Sequence, residues 1–125
     1  MKTIVLIMRR RPIAQGLMQK LREDKNHNLI FEPDYAHADV AIRAHNAVAA
    51  LIEIGESAEF DASYCLALCA WLRQETPQCK LMLMCPEQNA DSVSKVIKAK
   101  KKERIDDFVF YDSTTEYLIS KLLNM

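Results

Sequence analysis

Glycine is nearly absent from this chain of 125 residues, which has only Gly16 and Gly55. A glycine-rich phosphate cradle needs several backbone positions free of Cβ, so that class of nucleotide site is excluded. Net charge is missing too, because 17 Lys and Arg balance 17 Asp and Glu. No overall field commits the protein to nucleic acid, a membrane surface or an acidic partner. Long hydrophobic runs are also lacking. The first apolar run, Ile4 to Met8, lies between Lys2 and three arginines, too short for a spanning helix or a secretory core. A cytoplasmic protein is expected. The four cysteines, Cys65, Cys69, Cys79 and Cys85, form no CxxC pair and have no histidine at zinc-finger spacing. Neither a metal site nor a redox motif is signalled, and free, buried thiols are expected. Repeats, low-complexity tracts and flexible linkers do not occur. With half its residues hydrophobic, the chain reads as one domain over 1–125, able to bury roughly two-thirds of its unfolded surface.

Short β-rich runs alternate with helical spacing. The pattern predicts strands at Thr3 to Met8, Leu29 to Glu32, Val48 to Ile54, Lys80 to Cys85 and Asp107 to Tyr111. Between and after them, apolar residues recur with helical spacing. Ile13, Leu17, Met18 and Leu21 mark the first helix, Val40 and Ala44 the second, and Tyr64, Leu68 and Leu72 the third. Val93, Val96 and Ile97 mark the fourth, and Leu118 and Leu122 the fifth. Pro12 suits a first helical turn, and Asp34, Asp61, Asp91 and Ser113 are the expected N-caps. Glu116, three residues after Ser113, predicts a capping box. Parallel strands need crossover helices, and these crossovers are right-handed. The expected fold is therefore α/β: a flavodoxin-like, doubly wound (βα)5 arrangement with a five-stranded parallel sheet.

Arg9, Arg10 and Arg11 follow the first strand, at the sheet edge where an open α/β fold places its chemistry. The run Thr3-Ile4-Val5-Leu6-Ile7-Met8 before this charged triplet and Pro12 resembles the receiver domain of bacterial response regulators. Leu81-Met82-Leu83-Met84 and Asp107-Phe108-Val109-Phe110 fit it too, and the resemblance covers nearly the whole chain. It implies an acidic, magnesium-binding pair after the first strand and a phosphoacceptor aspartate after the third. It also implies a Ser or Thr after the fourth strand and a lysine after the fifth. Here those places fall on Arg9 and Arg10, on Gly55 or a neighbour, on Cys85 and on Tyr111. None has the required chemistry.

Replacing two carboxylates by two guanidiniums changes the local charge by about four units, which disfavours a dication. The arginines have three readings. They pair internally with Glu53, Glu56 or Asp112, they bind an anion or nucleotide through Arg9, Arg10 and Arg11, or they form a solvated basic loop. Cys85, beside this cluster, is a candidate for a lowered thiol pKa. Cys65 and Cys69, one helical turn apart, read as packing, and His37 and His45 as surface residues. The basic stretch Lys95, Lys98, Lys100, Lys101, Lys102 and Arg104 contains no interleaved aromatic, so nucleic-acid binding is not expected.

Taken together, the residues predict a pseudo-receiver: a non-enzymatic signalling module without cofactor or metal, acting by protein–protein contact that includes self-association. The alternatives are an anion sensor using Arg9 to Arg11 and a small enzyme using Cys85.

Overall fold

A computed structural model describes all 125 residues. Strands β1 (Lys2–Ile7), β2 (His27–Glu32), β3 (Ala49–Glu53), β4 (Lys80–Cys85) and β5 (Asp107–Phe110) form one parallel sheet in the order β2-β1-β3-β4-β5. Five helices follow the strands: α1 (Arg11–Lys20), α2 (Ala38–Ala44), α3 (Ala62–Glu75), α4 (Ala90–Lys101) and α5 (Thr115–Leu123). Short 3-10 turns at Tyr35–His37 and Ala58–Phe60 precede α2 and α3. This is the flavodoxin-like arrangement expected of the alternating pattern. No helix is long and apolar enough to cross a membrane.

Each face of the sheet carries its own core. Alternate strand residues such as Val5, Ile7, Ile52, Leu81 and Leu83 pack with α2, α3 and α4 through Ile42, Cys65, Cys69, Leu72 and Val96. The other face, with Ile4, Leu6, Leu51, Met82 and Val109, packs with α1 and α5 through Leu17, Leu118 and Leu122. Every residue of β3 is buried, as a central parallel strand covered on both faces requires.

Strand limits differ from the expected ones by one or two residues. β2 starts at His27 because Lys2 and Thr3 pair with His27 and Asn28. Asp61 caps α3 as expected, accepting from Tyr64 N–H at 2.9 Å. The other caps shift. Asn89, not Asp91, caps α4 by accepting from Ser92 N–H at 3.1 Å, and Asp91 pairs with Lys95 at 3.0 Å. Thr114, not Ser113, caps α5. Glu116 then falls too early for a capping box and pairs with Lys20 at 3.1 Å. Asp34 caps the 3-10 turn rather than α2.

Candidate functional site

The carboxyl ends of β1, β3 and β5 converge on a cleft of about 300 Å3 lined by Arg9, Arg10, Glu53, Gly55, Glu56, Ser57, Glu59, Phe60 and Tyr111. Its centre is Glu53, the last residue of β3 and only 2 % exposed. Burying a carboxylate is costly unless it is paired and hydrogen-bonded. Here the chain leaving β1 meets that need. Glu53 Oε1 accepts from the backbone N–H of Arg9 at 2.9 Å and of Arg10 at 3.3 Å. Oε2 accepts from Arg10 Nε, which closes the ion pair.

Two tyrosines fasten the same strand end from either side. Tyr35, buried in the turn before α2, donates its hydroxyl to the Glu53 carbonyl. Tyr111, just after β5, donates to the Ile54 carbonyl. Burial pushes both phenols well above their ordinary value, and the Glu53 charge adds to it, so both stay neutral donors. The Arg10 guanidinium also lies over the Tyr111 ring at 4.0 Å, a cation–π contact beside the ion pair. Gly55 turns the chain away from the sheet, its N–H donating to Phe60 O at 2.6 Å. A Cβ there would sit 3.2 Å from that same oxygen, so the close approach favours glycine.

The three arginines diverge. Arg9 pairs with Glu59 at 3.9 Å and lies over Phe60 at 5.3 Å, whereas Arg11 points to Phe31 at 4.7 Å. The cleft itself carries the three carboxylates of Glu53, Glu56 and Glu59 against the two guanidiniums of Arg9 and Arg10. That gives one net negative charge.

Several expected placements change. The third strand ends at Glu53, two residues before Gly55, because its last ladder partner is Met84. The strand end expected beside Gly55 therefore falls at Glu53. Glu56 lines the cleft without an ion pair, and Asp112 takes none either, its N–H reaching Glu87 at 3.4 Å. Glu59, Tyr35 and Phe60 were not anticipated. Only the N-cap expected at Asp34, just before Tyr35, hinted at that loop. Nor is Cys85 activated: it is fully buried, and desolvation, followed by the charge of Glu87, pushes its thiol up to about 11. Cys69 is likewise pushed up by burial to about 12. No group of three His, Cys, Asp or Glu is arranged to hold a metal ion.

No protein-family model matches the chain, and no curated protein matches it. Solved structures do. A Francisella response regulator receiver domain aligns with a TM-score of 0.77 and 18% identity over 99% of this chain and 95% of its own. A Thermotoga maritima response regulator gives 0.76 and 18% over 98% and 95%. A streptococcal redox sensor, of a family described as evolved from two-component response regulators, gives 0.78 and 11% over 99% of this chain and 50% of its own. The fold is that of the receiver, or CheY-like, domains.

Proposed function

We propose that this domain is a receiver-type signalling module that works without phosphorylation, through contact with a protein partner. The observation that carries this reading is the buried Glu53 carboxylate, with both oxygens engaged by Arg9 and Arg10. A phosphoryl acceptor must present a free oxygen in line with its donor, beside a cationic clamp and metal. Glu53 presents none. Arg9 and Arg10 stand where the receiver resemblance calls for acidic metal ligands. At 4 Å, repulsion between one unit charge of a dication and one guanidinium is worth about 4 kcal/mol at a partly buried site.

The ion pair takes over the structural task that metal and phosphate perform in an ordinary receiver. It ties the loop after β1 to the loop after β3 in one arrangement, and Tyr111 replaces the lysine by packing and a neutral hydrogen bond. The fold has been turned to another input elsewhere, as the name of the streptococcal redox sensors records.

The deciding experiment combines intact-mass analysis after incubation with acetyl phosphate and magnesium with thermal unfolding in magnesium and beryllofluoride. The expected result is no phosphoryl adduct and an unchanged midpoint, since a ligand preferring the native state must raise it. An adduct or a raised midpoint sinks the proposal. A midpoint raised only by phosphate or a nucleotide assigns the arginines to anion sensing instead.

A further inference from the structure

The sheet ends in two edges, β2 and β5, and an open edge is a template for pairing with another chain. The β5 edge is guarded. Asp107 opens that strand with a carboxylate held by Lys100 at 2.8 Å and by Lys121, and the Phe108 N–H donates to the same carboxylate at 2.9 Å. β2 has no such device. Between His27 and Glu32 it runs Asn28, Leu29, Ile30 and Phe31, without lysine or proline, and only Leu29 is buried. No bulge interrupts its register with β1.

The ladder shows which main-chain groups are left over. Lys2 N–H donates to the Asn26 carbonyl at 2.8 Å, and Met8 N–H to the Glu32 carbonyl at 3.3 Å. Successive residues of a strand turn their main-chain groups to opposite sides, so the even-numbered residues of β2 face β1. Leu29 and Phe31 therefore turn their N–H and C=O groups outward, where the sheet has no further strand. The His27 N–H lies on that side too, but Asp24 accepts it at 3.1 Å.

Charge marks the two ends of the same edge. Arg9 and Arg10 pair with Glu59 and Glu53, whereas Arg11 is exposed over the Phe31 ring at 4.7 Å and pairs with no acid. At the other end Asp24 accepts from Asn26 N–H at 2.7 Å and lies 3.4 Å from the His27 ring, with no lysine or arginine on it. Leu29 and Phe31 pack towards α1, and His27 shares their side of the strand. Arg11 and Asp24 thus flank one face of the edge.

We infer that β2 pairs antiparallel with β2 of a second copy, about a two-fold axis through Ile30. This deepens the reading that the domain acts by protein contact, and rests on it. An axis normal to the sheet keeps each face on its own side, so odd residues oppose odd and even oppose even. With Ile30 opposite its own copy, Leu29 meets Phe31 twice, and their outward groups close a pair of N–H···O=C bonds at each meeting. Asn28 then meets Glu32. The antiparallel sense also lays the Arg11 end of one edge beside the Asp24 end of the other, again twice. Charge complementarity selects the occupant: a foreign strand can take the backbone bonds, but a second copy brings both charges to the matching ends.

Ile30→Cys tests the register. Residues opposed in a non-hydrogen-bonded pair lie about 4.5 Å apart at Cα, within the span of a disulfide, and the four native cysteines are buried. Mild oxidation of the purified full-length variant should give a disulfide-linked dimer on non-reducing electrophoresis. Asn28→Cys, which faces Glu32 instead, should stay unlinked. In sedimentation equilibrium the unaltered protein should dimerise reversibly, and Arg11→Glu, at an exposed site, should raise the dissociation constant at least about tenfold. A monomer at every concentration overturns the proposal. So does a dimer indifferent to Arg11→Glu in which Ile30→Cys stays unlinked, which would assign self-association to another surface. Linkage through Asn28→Cys but not Ile30→Cys overturns it as well, since the strands would then meet in another register. The magnesium–beryllofluoride measurement fails separately: a raised midpoint removes the phosphorylation-independent reading, while an absent cross-link with an unchanged midpoint removes only this edge.

Discussion

At the scale of single residues, Glu53 is held by two kinds of donor with different consequences for mutation. Arg10→Ala keeps both backbone amides but leaves a buried carboxylate without its counter-charge. Removing one partner of a fully buried pair costs 3–5 kcal/mol, and the partial exposure of Arg10 lowers the expectation to about 2–3 kcal/mol. Glu53→Gln removes the charge itself and should cost less, about 1–2 kcal/mol. The double variant should cost less than the two single costs added, by at least about 1 kcal/mol, in urea unfolding. Additive costs would mean that the pair does not act as a unit. For internal pairing of the arginines the sequence offered Glu53, Glu56 and Asp112 without choosing among them, and it missed Glu59, the partner of Arg9. β3 is buried on both faces, so its residues lack the alternation that sets a register. Without a register, the residue at the strand's end stays ambiguous by one or two positions.

Among the elements, α1 keeps an avoidable weakness. Gly16 lies mid-helix, exposed, with no atom within 4 Å of the place a Cβ would occupy. Glycine there loses more backbone entropy on folding than alanine would, and no contact or positive φ offsets it. Gly16→Ala should stabilise the protein by about 0.5–1 kcal/mol, read as a raised thermal midpoint. A lowered midpoint would show that something approaches this face of α1 more closely than the fold indicates. The existence of all five helices was legible because their apolar residues recur at helical spacing. Their starts were less so. The stretches around Asn89 to Asp91 and Asp112 to Thr115 each offer several side chains able to cap. Which one does depends on where the strand before it releases the chain, a tertiary matter.

For the whole molecule, the strand order places α2, α3 and α4 on one face of the sheet and α1 and α5 on the other. Alternating elements and crossover handedness foretold helices on both faces, but not which helices share one. The two cores share β1, β3 and β4, whose successive side chains point into opposite faces, so neither core can be lost while the sheet persists. Unfolding should therefore be a single transition. Trp71 reports from α3, on the first face, while far-UV circular dichroism reports from every element. Leu17→Ala, on the second face, removes a fully buried side chain and should cost about 2–5 kcal/mol. If the sheet couples the faces, this substitution lowers the Trp71 fluorescence midpoint and the circular dichroism midpoint in urea by the same amount. A dichroism transition that moved while the Trp71 transition stayed would mean that α1 and α5 unfold from a sheet still covered on its other side.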